Sequence, residues 1–509
     1  MKDKDSPKKR FIYTFIVNAI KMFAAIISST MVPVSLGATN YGNFNFASSI
    51  LLNIKGFTSL GTTGAFFTFN SKNKNSSNSS IIYFSWSLIQ YIFIIGFIIA
   101  VYFFDINEKI FPGQEKVFIY IMSGLMFVGV LSSDLISFGE SKAKNVIVQK
   151  ISLAGTLFSL ILISVFYFLK DLNLYSYILI NYISYVFISV LVSLYFLKKE
   201  RFNQYFQKVS SIELKKVFSY FIVFCKPLIL YEVFGLVFNM FDRWILQYTS
   251  GSIEQAYFSI SFKWTSVVLL FTTSLLNVFW RDLSVSYQNN DIERSRLIFY
   301  KSYRFVFFIS SVLAIFIFFN ASNLVNLLLN KEYISAIPVI RMMVFYTIFY
   351  AVNQLNTTVF YATEKTKLYK NIAVVSMITG IILSYFLIAP SSYLIPGLGL
   401  SSIGIAIKML LLSVVFGFVF LYFVSKELKF SFVSFLIKQI LFFSLIFSPG
   451  FFLNLAISFL QFSYLLNIIL FILFYFVFII IIVIKRPDIL GLTKKDISNI
   501  LSVISILKK

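Results

Sequence analysis

Fourteen continuous apolar runs, each of about 20 residues or more, follow one another along the 509-residue chain. An α-helix crosses the hydrocarbon core of a bilayer with about 20 apolar residues, because each residue adds about 1.5 Å. Strands of a membrane barrel are about half as long and alternate between apolar and polar residues. The sequence therefore predicts an all-α, polytopic membrane protein with about 14 transmembrane helices.

The predicted spans are Phe11–Val34, Phe44–Phe69, Ile81–Phe104, Val117–Phe138, Val146–Leu169, Leu174–Leu197, Val217–Leu246, Ala256–Phe279, Tyr303–Leu328, Ile337–Tyr361, Leu368–Ile388, Leu398–Val424, Phe432–Leu455 and Tyr464–Ile484.

The composition agrees with a lipid environment and removes several kinds of chemistry. Charged residues make up 13% of the chain, whereas soluble domains are about a quarter charged. The chain has no histidine and a single cysteine, which excludes histidine metal ligands, histidine general bases and an intrachain disulfide. We predict no cofactor and no metal.

Lysine and arginine residues are abundant in every second loop between the spans and scarce in the loops that alternate with them. If the N-terminus is cytoplasmic, 33 of the 44 basic residues fall in cytoplasmic segments or at the span ends next to them, 4 in outside loops and 7 deeper inside spans. This asymmetry predicts a multi-pass membrane protein with both termini in the cytoplasm. The net charge of +23 is thereby explained by topology, and no nucleic-acid partner is expected.

Two lysines lie near the middle of the first two spans. A charge at a helix centre costs about 2.5–3.5 kcal/mol, so such residues are functional candidates once snorkelling is excluded. Lys21 shares a polar face with Asn18 and Ser28, and Lys55 precedes a run of hydroxyl residues. Both lie too deep to reach a membrane surface easily.

The seventh span is the most polar. It carries Lys226 before Pro227, where we expect a kink, and a stripe of polar or small residues on one helix face that consists of Glu232, Gly235, Asn239 and Asp242. Glu232 and Asp242 are candidates for ion coupling or ion pairing. Arg243 is either a cavity residue or a snorkelling or structurally paired residue.

Lys263 lies two turns into the eighth span, and Lys408 lies in the middle of the twelfth. By this count, deep cations outnumber deep carboxylates. An apolar bundle with such a surplus is best explained by a water-filled cavity that receives an anion, and phosphate, pyrophosphate or acidic sugars suit it.

Short motifs also resemble one family. Leu36-Gly37 with Tyr41-Gly42 and Phe44, Pro227 with Asp242-Arg243 and Ala256-Tyr257, and Gly397, Gly399 and Gly404 look like motifs of the polysaccharide-transport (Wzx-type) flippases. These belong to the multidrug/oligosaccharidyl-lipid/polysaccharide exporter superfamily. The helix number, the short outside loops and the predicted termini are similar too.

The resemblance implies two six-helix lobes around a central cavity: residues 1–208 for helices 1–6, 209–430 for helices 7–12, and 431–509 for helices 13–14 and a tail. It implies a flippase of a bacterial cytoplasmic (inner) membrane and not an enzyme. The flippase would turn a polyprenyl-pyrophosphate-linked oligosaccharide to the outer leaflet for O-antigen or capsule synthesis. Its partners would be that lipid, the bilayer, a polysaccharide polymerase and a chain-length regulator. In relatives, basic residues of helices 1, 2, 7 and 8 line the cavity, and here these are Lys21, Lys55, Lys226, Arg243 and Lys263.

Three alternatives remain open from the sequence. A cation-coupled multidrug exporter would need buried carboxylates, of which this count finds only Glu232 and Asp242. A peptidoglycan-precursor flippase is favoured by the two extra helices. A polysaccharide polymerase generally needs a large outside loop, whereas the longest outside loop here is the short segment 105–116.

Overall fold

The computed structural model describes residues 7–72, 77–142, 144–199, 211–226, 229–460 and 462–491. This part of the chain is almost entirely helical and contains no strand. Its α-helices are α1 (Pro7–Ser59), α2 (Thr62–Lys72), α3 (Ser77–Phe103), α4 (Asn107–Ile110), α5 (Lys116–Ser141), α6 (Asn145–Phe168), α7 (Leu174–Lys199), α8 (Ser211–Cys225), α9 (Ile229–Gln288), α10 (Ile292–Leu328), α11 (Ile337–Ala362), α12 (Thr366–Ile388), α13 (Ser401–Glu427), α14 (Phe432–Leu460) and α15 (Tyr464–Lys485). Short 3-10 helices cover Lys331–Ala336 and Pro487–Leu490.

Eleven of the described helices are long and apolar enough to cross a membrane. The first of these spans, Ile16–Ser59, has 44 residues, about twice the length that one crossing needs. The helix α1 is interrupted at Gly37 and holds the first predicted span and much of the second, which continues into α2. The predicted all-α, polytopic class is confirmed.

The seventh and eighth predicted spans fall on α8 and α9. α8 ends at Cys225 and α9 begins at Ile229, while Pro227 and its predicted kink lie outside the described residues. Beyond its first 22 residues α9 is itself interrupted, at Gly251. The predicted eighth span, Ala256–Phe279, follows that break.

The breaks in α1 and α9 have the same backbone conformation. Gly37 has φ 73° and ψ 166°, and Gly251 has φ 80° and ψ −174°. A side chain is disfavoured at such positive φ values, so glycine is the residue that lets two helical segments join there without a longer loop. The shared geometry is an internal similarity that the residues themselves do not reveal.

The chain forms two compact units. Unit 1 contains residues 1–256 and 384–401, and unit 2 contains residues 257–383 and 402–509. Within unit 1, α1 packs along α6, and α5 packs along α7; within unit 2, α10 packs against α11, α14 and α15. The boundaries 208 and 430, which were proposed for the lobes, differ from these limits and stay a prediction about lobes.

The interior of each unit is apolar. In unit 1, Phe46 and Ile50 of α1 pack with Ile94 of α3 and Met122 of α5. In unit 2, one buried cluster combines aliphatic side chains with the aromatic side chains of Phe299, Tyr303, Phe360, Phe420 and Phe435. Buried polar groups therefore stand out against these cores.

Candidate functional site

Lys21 lies on α1 against α6. Its Nζ donates hydrogen bonds to Ser152 Oγ at 2.7 Å and to Gln149 Oε1 at 3.4 Å. Gln149 Nε2 in turn donates to Glu140 Oε1 at 2.8 Å, so a polar chain runs from the ammonium to a carboxylate at the end of α5. Lys21 is half-buried and already has protein partners.

A polar cavity continues along the face of α1 that carries Lys21. Its volume is about 210 Å³, and its wall includes Ser28 of α1, Thr156 and Ser159 of α6, and Asn181 and Ser184 of α7. Asn18, one turn before Lys21, is half-buried. The polar face expected of the first span therefore borders a cavity among α1, α6 and α7.

Lys55 lines a second cavity of unit 1, also of about 210 Å³. The wall comes from α1, α3 and α5 and is mostly apolar, with Phe84, Tyr91 and Met126 among its members. Its other polar members are Ser87, Gln90 and Asp134. The cavity thus holds one cation, one carboxylate and one amide in apolar surroundings.

Asp134 is a buried carboxylate that the sequence count overlooked. It lies within the fourth predicted span and is only 3% exposed. Tyr83 Oη donates to its Oδ1 and Ser87 Oγ donates to its Oδ2, each at 2.6 Å. Asp134 lies one turn from the end of that span and is nevertheless buried, so the statement that only Glu232 and Asp242 are deep carboxylates was wrong.

The residues of the predicted stripe on α9 are only partly buried. Glu232 and Asp242 are half-buried, Asn239 is exposed, and Lys226 is exposed at the end of α8. Asp242 accepts a hydrogen bond from Ser384 Oγ of α12. Arg243 interacts electrostatically with Asp242 and with Tyr41, which fits the structural pairing considered for it.

Lys263 and Lys408 belong to unit 2. Lys263 is half-buried on α9, and Lys408 of α13 is fully buried. Lys21, Lys55, Lys226 and Arg243 belong to unit 1. The proposal that Lys263 binds the same ligand as the lysines of unit 1 stays a prediction. Among the described residues, no group of three or more acidic or cysteine side chains is arranged to hold a metal.

Comparison with protein families gives a direct result. A family model described as "polysaccharide biosynthesis protein" matches residues 8–279, more than half of the chain. The chain belongs to this polysaccharide biosynthesis protein family. A second model, MatE, matches residues 227–386. Among curated proteins, no sequence matches the chain.

Solved structures share the fold of this family member. "Lipid II flippase MurJ, inward closed conformation" has a TM-score of 0.66 and 16% identity, and the match covers 94% of this chain and 98% of MurJ. An inward-facing multidrug resistance MATE transporter of the MOP superfamily has a TM-score of 0.61 and 13% identity, over 82% of this chain and 99% of the transporter. A MOP superfamily transporter from Pyrococcus furiosus has a TM-score of 0.56 and 13% identity, over 84% of this chain and 98% of that protein.

Two glycines of the motif that suggested this family have structural roles. Gly37 supplies the break in α1. A side chain on Gly42 would overlap the backbone carbonyl of Ser252, because α1 and α9 touch there through their backbones. Asn43 reinforces that contact by accepting hydrogen bonds from Ser252 Oγ at 2.5 Å and from Gln114 Nε2 at 2.7 Å. The motif therefore marks the packing of the fold.

Proposed function

We propose that this protein flips a polyprenyl-diphosphate-linked oligosaccharide from the cytoplasmic to the outer leaflet of a bacterial cytoplasmic membrane. Membership of the polysaccharide biosynthesis protein family and the shared fold with a lipid II flippase support this. The observation that carries it is Lys55, a lysine held at the wall of a cavity inside an apolar helix bundle. An ammonium at that depth is costly unless a ligand or a counter-ion uses it.

The chemistry of the ligand follows from the lysines. A diphosphate has several oxygens that accept short, charge-assisted hydrogen bonds, and each lysine has three N–H donors. Binding therefore offsets the cost of holding cations within an apolar interior. The polyprenyl tail needs no enclosed site, because the bilayer solvates it.

Transport then follows from alternating access. The lysines of unit 1 hold the diphosphate while the binding site opens first to the cytoplasm and then to the outside. On residue type and depth, Lys226, Arg243 and Lys263 are further candidates for ligand contact, with Asn18, Asn239 and Lys408 behind them, and Glu232 and Asp242 are candidates for ion coupling. No bond of the substrate is broken, so the protein is a transporter and not an enzyme.

A double variant tests the function in cells. Lys21→Ala with Lys55→Ala, expressed in a strain that lacks the wild-type gene, should abolish surface polysaccharide while its level in the membrane stays normal. Lys331→Ala is the matched control, because Lys331 is exposed on a 3-10 helix and should leave the polysaccharide unchanged. Wild-type polysaccharide output from the double variant would contradict the proposal.

A peptidoglycan-precursor flippase is the second candidate, and one observation favours it. The match to the lipid II flippase covers 94% of this chain, whereas the matches to the two MOP superfamily transporters described above cover 82% and 84%. Rescue of cells depleted of their own lipid II flippase would favour this substrate. A gain in drug resistance on overexpression would instead favour a multidrug exporter, and polymerising activity of the purified protein would favour a polymerase.

The remaining partners follow from the proposed substrate. A repeat unit delivered to the outer leaflet must be consumed there by a polymerase, and a chain-length regulator would act with that enzyme. Co-purification from membranes tests both associations. The orientation, with both termini in the cytoplasm, is tested by reporter fusions at each end.

A further inference from the structure

The cavity beside Lys55 contains acceptors that the proposed function does not use. Asp134 forms one part of the wall and receives two hydroxyl donors. Gln90, on the same wall, is 3% exposed, and its Oε1 has no hydrogen-bond partner. A buried acceptor without a donor costs about 1–3 kcal/mol in most proteins, so its presence here calls for an explanation.

Lys55 is the cation that shares this wall. No ion pair joins Lys55 and Asp134 in this structure, although both are among the described residues that line the cavity. The two hydroxyl donors satisfy Asp134 in part, and a carboxylate can accept about four hydrogen bonds. Asp134 and Gln90 therefore have acceptor capacity left for a group that enters the cavity with N–H donors.

We propose that Asp134 and Gln90 form an internal acceptor site for the Lys55 ammonium, which competes with the substrate's diphosphate and so sets how tightly the anion is held. This proposal rests on the proposed function. When the cavity holds no ligand, the Lys55 side chain turns toward Asp134 and Gln90. When a diphosphate arrives, Lys55 turns away from them to bind it.

The competition has a consequence for transport. A cation in an apolar interior binds a diphosphate tightly, and a tightly held ligand leaves slowly. A nearby carboxylate offers the cation an alternative partner, which weakens the bound state and speeds release. Asp134 is thus a specificity and release residue that acts through Lys55 and does not touch the substrate.

The charged and titratable groups around the cavity agree with a role of Asp134 that acts through Lys55. They are Lys55 of α1, Tyr83 and Tyr91 of α3, and Asp134 of α5. With one cation and one carboxylate, the cavity is close to neutral as it stands. A small inorganic cation in the same space would be repelled by Lys55, so the lysine itself is the occupant that fits the acceptors.

The test measures binding of farnesyl diphosphate to purified full-length protein, with farnesol as the uncharged reference. Asp134→Asn removes the competing charge with little change of shape, and we expect it to tighten farnesyl diphosphate binding by at least about fivefold without changing farnesol binding. Lys55→Met should weaken binding of the diphosphate. In the Lys55→Met background, Asp134→Asn should have no effect, because the two residues act on one cation.

Transport provides the readout that a merely structural role would not reproduce. Asp134→Asn should bind the diphosphate more tightly and yet flip the lipid-linked substrate more slowly in proteoliposomes. Loss of both binding and transport in folded protein would overturn the proposal. If Asp134→Asn fails to fold, Gln90→Leu replaces it, since the Gln90 oxygen makes no hydrogen bond. Gln90→Leu should tighten farnesyl diphosphate binding roughly twofold. Unchanged or weaker binding of farnesyl diphosphate would count against the proposal.

Failure of the inference and failure of the proposed function are distinguishable. Equal affinity of wild type and Lys55→Met for farnesyl diphosphate contradicts the proposed function itself. Weaker binding by Lys55→Met, together with an Asp134→Asn effect that persists in the Lys55→Met background, contradicts only the inference.

Discussion

The two halves of α1 carry one deep lysine each, and the structure gives those lysines different surroundings. Before Gly37, Lys21 lies against α6 and donates to Ser152 and Gln149, which are neutral groups. After Gly37, the helix packs with α3 and α5, and Lys55 lines a cavity with Asp134. Lysines that look equivalent by depth thus differ in the groups that neighbouring helices present to them.

This difference shows that the depth of a lysine in the membrane identifies it as a candidate for ligand binding, and that its neighbouring side chains decide its role. Lys21 has partners that would remain after a ligand leaves. Lys55 lines a cavity whose wall also includes the Asp134 carboxylate, so we expect the Lys55 charge to be available to a ligand. We therefore expect Lys55 to contribute more to transport than Lys21.

Removing the Lys55 charge has the largest expected effect. Lys55→Met should lower the rate of lipid flipping in proteoliposomes by roughly a hundredfold, because it removes charge-assisted hydrogen bonds to the diphosphate. Lys55→Arg keeps the charge and should retain part of the rate. Lys331→Met is the control for a lysine-to-methionine change at an exposed position. A flipping rate of Lys55→Met equal to that of Lys331→Met would contradict the large contribution expected of Lys55.

The second half of α1 also offers a matched pair of glycines. A side chain on Gly42 would overlap the Ser252 carbonyl, whereas nothing lies within 4 Å of one on Gly56. Gly42→Ala should destabilise the protein by about 1–3 kcal/mol, because a backbone contact cannot shift as a flexible side chain can. Gly56→Ala should be neutral or slightly stabilising, since alanine favours helix.

Thermal unfolding of the detergent-purified variants checks this pair. Equal stability of Gly42→Ala and wild type would mean that α1 and α9 do not touch at Gly42 as described. Lower stability of both variants would point to a general intolerance of α1 to larger residues.

Substitution of Lys21 has the next largest expected effect on transport. Lys21→Met should reduce flipping by about tenfold or less, since the Lys21 ammonium already has Ser152 and Gln149 as partners. Lys21→Gln can still donate to Ser152 and should unfold at the wild-type temperature, while its transport matches that of Lys21→Met. A loss as large as that of Lys55→Met would show that the two halves of α1 contribute alike.

Much of the fold was predictable from the sequence, because spanning a membrane needs long apolar runs and these are visible without any structure. The predicted first two spans lie on α1 and α2. The break at Gly251 was not predicted, because a single glycine at positive φ leaves no periodic signal. The same applies to its likeness to the break at Gly37.

Less of the candidate site was predictable. Depth selected Lys55, whereas Asp134 lies one turn from the end of its predicted span, where position in the sequence does not show that the side chain is buried. The Lys55 cavity and the partners of Lys21 come from packing between helices that are distant in the chain, and a single sequence does not specify that packing. The residues of α9 were chosen as one stripe, yet Asn239 is exposed and Asp242 pairs with Ser384.

The smallest expected effect comes from a charge pair outside the spans, which shows what a solvent-screened pair contributes. Arg486 Nε donates to Asp488 Oδ1 at 3.1 Å, and this hydrogen bond lowers the pKa of the Asp488 carboxyl. Because the pKa in the folded protein is below the unfolded value, the contribution is present at neutral pH and is lost as the pH falls through the folded pKa, below about 4. Both side chains are largely exposed, so Asp488→Asn should lower the Tm at pH 7 by no more than about 1 °C, and the decrease should be smaller at pH 3. An equal drop at both pH values would instead indicate a loss of the backbone contact, in which Arg304 Nη1 donates to the Asp488 carbonyl at 3.2 Å. A drop at pH 7 as large as that of Gly42→Ala would mean that exposed pairs matter here as much as buried contacts, and depth would then be a poor guide to which charges to test.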